Sequence, residues 1–121
     1  MAWTQFWDMS SGGGQKEPWH YIYIEAPEDE AKRVFFAKFG HDPQRVSCTC
    51  CGEDYSISES ETLEEATEYH RNGMPLGEYL AAAEAGTLKG WDHTVKVIRA
   101  DEIKPEERTI EVHRSGYIWV D

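Results

Sequence analysis

Residues 20 to 40 read HYIYIEAPEDEAKRVFFAKFG, and the reading of this stretch decides the fold. Ile22 and Ile24 alternate with Tyr21 and Tyr23, the period of two expected of a strand with one face on a core and the other partly wet. Pro27 then stands at a first-turn position, followed by Glu28, Asp29 and Glu30, where negative charge favours a helix N-terminus. Gly40 supplies the left-handed residue that ends a helix. Ala31, Val34, Phe35 and Phe39 recur at spacings of three and four, so one apolar stripe of this helix faces the sheet.

Upstream, the aromatic segment Phe6 to Met9 and the turn-forming SSGGGQKEP place a first hairpin against this strand. Downstream, residues 46 to 58 read as a second hairpin, VSCTC and DYSIS joined through Cys51, Gly52 and Glu53. Thr62 and Glu65 have the spacing of a capping box, and the helix they open runs to Asn72 and Gly73. A third helix, PLGEYLAAAEAG, carries Leu76, Tyr79, Leu80 and Ala83 on one face and ends at Gly86. TVKVIRA reads as a strand, DEIKPEER as a charged connection broken by Pro105, and RTIEVHRSGYIWV as two strands about a Ser-Gly turn. The expected fold is α+β: an antiparallel sheet built of hairpins with two to three helices packed on it. A length of 121 residues fits a single domain over 1–121.

Composition narrows the function classes. Apolar residues make up 40% of the chain and five are tryptophans, the make-up of a folded globule. No run approaches the roughly 18 apolar residues of a membrane span. The N-terminus lacks both the basic start and the apolar stretch of an export signal, so no membrane contact is expected and the cytoplasm is the expected location. Twelve Lys and Arg against 23 Asp and Glu leave a net charge of −11, which disfavours direct nucleic-acid binding because no basic cluster is set apart. The imbalance is concentrated: between Val46 and His70 stand Glu53, Asp54, Glu59, Glu61, Glu64, Glu65 and Glu68, with no Lys or Arg.

WTQFWDMSSGGGQK, YIYIEAPEDEAKRVFFAKFG and RVSCTCCGEDYSISE together resemble a group of small hypothetical proteins of bacteriophages that infect actinobacteria. That group shares the aromatic start with SGGG, the IEAPE helix opening and the CTCCG hairpin, and the ending IKPEERTIEVHRSGYIWVD extends the likeness over most of the chain. The resemblance implies a phage origin and the host cytoplasm as the place of action. It carries over no activity, cofactor or catalytic residue. A small acidic phage product fits the pattern of an early protein acting on host machinery.

Three groups of residues are candidate sites. The first is the acidic ridge of the second helix: Leu63, Ala66, Thr67 and His70 share its inner face, and Glu61, Glu64, Glu65 and Glu68 its outer one. With Glu53, Asp54 and Glu59 added, it suits a host protein with a basic surface, bound by charge complementarity and steered association. The ordinary reading is a solvated face that keeps a small protein soluble. The second candidate is the SSGGGQK loop, where Ser11, Gly12, Gly13, Gly14 and Lys16 offer backbone donors and charge, and Trp7, Trp19 and Tyr21 offer rings to stack on a base. It matches no phosphate-loop motif and precedes a strand, so a plain hairpin loop competes with a small-ligand or nucleotide-binding role.

The third candidate is Cys48-x-x-Cys51 followed by Gly52, the layout of half a zinc knuckle. Tetrahedral zinc needs two further ligands, to be drawn from Cys50, His70, His41 or His93, since no second C-x-x-C or H-x-x-x-H pair exists. Free thiols are the ordinary reading, and a structural zinc the alternative. Redox chemistry fits poorly, because the motif runs into a strand and acids instead of a helix N-terminus. Neither H-E-x-x-H nor G-x-S-x-G occurs, so the expectation is a non-enzymatic protein that binds and modulates a host protein through its carboxylate-rich face.

Overall fold

The structure is a computed structural model that describes residues 2–7, 10–11, 14–15, 19–40, 42–44, 46–48, 52–53, 55–88, 94–111 and 118–120. In chain order the elements are β1 (Trp3–Trp7), β2 (Ser10–Ser11), β3 (Gly14–Gln15), β4 (Tyr21–Ile24), α1 (Glu28–Phe39), β5 (Val46–Cys48), β6 (Gly52–Glu53) and β7 (Ser56–Ser60). They continue with α2 (Leu63–Arg71), α3 (Leu76–Ala85), β8 (Val95–Ile98), a 3-10 turn (Ala100–Glu102), α4 (Pro105–Thr109) and β9 (Ile118–Val120). The fold is α+β, with a four-stranded sheet in the order β7-β1-β4-β8. The other strands form a three-stranded sheet, β6-β5-β9, and a small β2-β3 ribbon.

The first expected hairpin is present: β1 and β4 run antiparallel with Thr4 opposite Ile24 and Phe6 opposite Ile22. The expectation that YIYI has one wet face is corrected, because Tyr21, Ile22, Tyr23 and Ile24 are all buried. The reason is a helical layer on each side. Phe6, Ile22, Ile24 and Ile98 pack with Ala31, Val34 and Phe35 of α1. On the opposite face, Trp3, Tyr21, Tyr23 and Val95 pack with Leu63 and Ala66 of α2 and Tyr79 of α3. The period of two is real, but it sorts side chains between two cores instead of between core and water.

On the α1 side, Phe35 sets its ring 4.9 Å from Phe6, 4.7 Å from Phe39 and 5.7 Å from Tyr55. Full burial of side chains of this size stabilises by roughly 1.5–3 kcal/mol each, so this cluster anchors the helix that the sequence marks so clearly. Gly40 ends α1 as expected, at φ 83° with its N–H on the Phe36 carbonyl at 2.8 Å. Pro27 is the residue preceding the helix and not its first turn.

The α+β fold class stands, and three further local expectations are corrected. Residues 46 to 58 do not form one hairpin: β5 pairs antiparallel with β6 through Ser47–Glu53 and Cys48–Gly52, whereas β7 departs to pair with β1. The sheet is mostly antiparallel, but β8 joins β4 parallel, and β9 joins β5 parallel. A long crossover leaves strand direction free in a way a hairpin turn does not. DEIKPEER is not a broken connection, since Pro105 opens α4 in the position where its missing N–H costs nothing. That makes four α-helices among the described residues, one more than the upper expectation. Lastly, Arg108 and Thr109 belong to α4 and not to a strand, while the Ser-Gly turn falls outside the described residues.

α4 packs on α1 through charge. Arg108 is 3.0 Å from Glu30, Lys38 is 3.1 Å from Glu107, and Arg33 donates to the Arg108 carbonyl at 3.3 Å. Glu107 also accepts the Lys104 N–H at 2.8 Å. That hydrogen bond, helped by the Lys38 ammonium against a small cost of burial, holds the Glu107 carboxyl below the usual glutamate range. A lowered folded-state value means the stabilisation is present at pH values above the ordinary glutamate range and is lost as pH falls through the lowered one. Glu107→Gln should therefore be less stable than the parent at neutral pH, by at most about 1 kcal/mol for a pair at the surface. In thermal melts taken from neutral to acid pH the difference should shrink, and a difference that grows with acid would contradict this role.

Candidate functional site

α2 forms because its inner positions are small or apolar and both its ends are capped. Thr62 accepts the Glu65 N–H at 3.1 Å, and Asn72 closes the helix in the left-handed conformation at φ 53°. Leu63, Ala66 and Thr67 are buried against β1 and β7, and the Thr67 hydroxyl donates to the Leu63 carbonyl at 2.8 Å. Arg71 then spends its donors on its own helix and the turn that follows it. Nε reaches Thr67 Oγ1 at 2.8 Å, and the two terminal nitrogens reach the Met74 and Glu64 carbonyls at 2.9 Å each.

The consequence is electrostatic. Glu61, Glu64, Glu65 and Glu68 are all exposed, and among the described residues their carboxylates make no ion pair or hydrogen bond. Several other acids are engaged: Glu28 with Lys32 at 3.1 Å, Glu30 with Arg108, Glu107 with Lys38, Glu25 on the Ala100 N–H at 2.9 Å and Glu102 on the Arg99 N–H at 3.1 Å. Asp29, Glu78, Glu84, Asp101, Glu106 and Glu111 are exposed and, like the ridge, have no partner among the described residues. Glu61 precedes the Thr62 cap and so adjoins the helix, instead of sharing its outer face as the spacing predicts. Glu64 and Glu68 stand four residues apart on that face, a like-charge spacing that costs roughly 0.2–0.5 kcal/mol. Glu64 and Glu65 recover part of that at the positive helix N-terminus, but Glu68, beyond the first turn, does not.

Beside the acids stands an aromatic that sequence reasoning missed. Tyr69 is 89% exposed, next in sequence to Glu68 and one turn from Glu65. Its signal was present in the helical period, because position 69 falls outside the Leu63, Ala66, Thr67, His70 stripe. Trp7, 39% exposed at the end of β1, approaches the same helix with its ring 6.0 Å from His70.

The remaining members of the acidic group separate. Glu59 lies on β7 opposite Thr4, on the α1 face of the sheet, and its carboxylate accepts the Glu28 N–H at 2.7 Å. Pro27 has no side-chain acceptor, so Glu59 serves as the cap that α1 lacks. Glu59 still borders an open depression with Glu61 and Glu65, so one end of the ridge adjoins the start of α1. Glu53 is placed on β6 by its pairing with Ser47, and Asp54 lies outside the described residues.

The glycine-loop group divides as well. Ser11 and Gly14 pair across the β2-β3 ribbon, while Gly12, Gly13 and Lys16 lie outside the described residues. Tyr21 and Trp7 face α2, but Trp19 packs with the α1-side core and lies 5.6 Å beneath the Lys96 ammonium. The three rings therefore sit on both sides of the sheet and do not form one stacking platform.

For the metal group, Cys48 on β5 pairs with Gly52 on β6, and Cys50, Cys51, His41 and His93 lie outside the described residues. His70 stacks on Tyr21 with ring centroids 3.9 Å apart. Among the described residues no three His, Cys, Asp or Glu side chains come together in a metal-binding group.

No protein-family model matches the chain, and comparison with curated proteins and with solved structures gives no match.

The contrast between Glu59 and the ridge is measurable in chemical denaturation. Glu59→Ala should cost about 1 kcal/mol through the lost cap, whereas Glu64→Gln should stay within about 0.5 kcal/mol of the parent. Equal losses from both would refute the division.

Proposed function

We propose that the protein is a non-enzymatic binding module that docks a basic surface patch of a partner protein through the outer face of α2, with Glu61, Glu64, Glu65 and Glu68 as the charged contacts. The observation that carries this reading is the clustering of four exposed carboxylates, with no partner among the described residues, around the start and outer side of one short helix. Their gain for folding is confined to Glu64 and Glu65 at the helix N-terminus, and the Glu64–Glu68 like-charge spacing opposes it. A face that local stability does not require is the kind of feature that function retains. A net charge of −11 would steer a cationic partner toward the ridge, and Tyr69 beside it offers the type of side chain that anchors interfaces. The resemblance to phage products makes a host protein the partner in this reading. Modulation then follows from occupying the partner's basic surface.

The test is quantitative capture from actinobacterial lysate with the parent and with Glu64→Lys plus Glu68→Lys, read by mass spectrometry across a salt series. A basic partner should be retained by the parent, released by salt, and lost by about tenfold or more with the reversed pair. The variant itself should stay folded with a melting temperature close to the parent's, since the repulsion removed offsets the loss of Glu64 from the helix N-terminus. A partner held equally by both proteins would refute the reading.

A further inference from the structure

β8 is an edge strand, and its outward side is built differently from that of the other edge. Tyr21 donates to the Thr94 carbonyl at 3.3 Å and Glu25 to the Ile98 carbonyl at 2.9 Å, which fixes the phase of the parallel β4-β8 ladder. In that phase Thr94, Lys96 and Ile98 turn their backbone groups to β4, and Val95 and Val97 turn theirs away from the sheet. No described residue pairs with those outward N–H and C=O groups.

They open into a groove of about 410 Å³. One wall is α3, through Leu80, Ala83 and Glu84, and the other is Trp19 and Lys96, with Arg99 and Glu102 at the end. Val95 and Val97 point to the α3 wall, and Lys96 to the Trp19 wall. Lys96 lies over the Trp19 ring and has no carboxylate partner among the described residues, nor does Arg99, whose guanidinium lies 5.9 Å from Trp3. The Glu102 carboxylate is taken up by the Arg99 N–H. The opposite edge, β7, is SISES, and Glu59 on it is committed to α1.

We propose that this groove is a second interaction surface that accepts an extended peptide segment of a partner as an added strand on β8, with apolar side chains toward α3 and an acidic side chain between them toward Lys96. Backbone pairing to Val95 and Val97 supplies the affinity, and the two walls supply the selectivity, as in strand addition generally. The charge argument selects the occupant. Glu84 and Glu102 offset Lys96 and Arg99 over the groove as a whole, but the Trp19 wall carries Lys96 with no carboxylate partner among the described residues. One acidic side chain is therefore suited to that wall and apolar ones to the other. A second copy paired antiparallel in the register centred on Lys96 would set that ammonium opposite its own counterpart, a like-charge contact that opposes pairing.

The probe is a fluorescein-labelled pentapeptide, Thr-Val-Asp-Val-Thr, titrated into the full chain by anisotropy and followed at the Val95 and Val97 amides by NMR. Saturable binding at up to millimolar peptide is expected, with both amide signals shifting. N-methylating one alternate set of peptide amides should weaken binding by about tenfold or more, while methylating the other set should leave it. Lys96→Glu should weaken the aspartate peptide by about tenfold and favour the same peptide carrying lysine. Glu64→Lys plus Glu68→Lys should leave peptide binding unchanged, which separates this surface from the ridge on α2. Equal binding of both methylated series, or no shift at Val95 and Val97, would overturn the proposal. So would a concentration-dependent dimer that protects those two amides, which would assign the edge to a second copy.

Discussion

The pairing of β1 with β4, buried on both faces, is the constraint from which the rest of the structure follows. Once YIYI is covered by α1 on one side and by α2 and α3 on the other, each helix must present a single apolar stripe and leave its far side to water. The outer face of α2 is thus fixed in place by packing beneath it. Its chemistry is left free by that packing, and it is filled with carboxylates.

The same constraint explains how differently the charges behave in the two helical layers. On the α1 side, α4 is short and has no buried residues of its own, so Arg33, Lys38 and Arg108 hold it through Glu30, Glu107 and backbone carbonyls. Charges there have structural work. On the α2 side, Leu63, Ala66 and Thr67 already seat the helix, and Arg71 is used on carbonyls and on Thr67. The acids of that layer have no comparable role. Glu59, between the two layers in sequence but on the α1 face in space, belongs with the structural set.

Much of the local architecture was legible in the sequence, because caps and periods are local signals. α1 ends at Gly40, α2 begins after Thr62 and ends at Asn72, and α3 ends at Gly86, all where the residue types indicate. What was illegible depended on distant partners. Nothing in YIYI itself says that Tyr21 and Tyr23 meet a second helical layer, since buried tyrosines and half-wet tyrosines share the same alternation. The exit of β7 from the hairpin, the parallel entry of β8 and the role of Glu59 at a proline-opened helix depend on contacts across 22 or more residues. The ridge of Glu61, Glu64, Glu65 and Glu68 was readable from spacing alone; its lack of described partners was not.

The account rests on repulsion among those carboxylates, and salt tests this most directly. Melting temperature measured against sodium chloride should rise for the parent as repulsion is screened, and rise less for Glu64→Lys plus Glu68→Lys, where two repelling charges are gone. A parent whose melting temperature falls with salt, or a reversed pair that keeps the full rise, would contradict it.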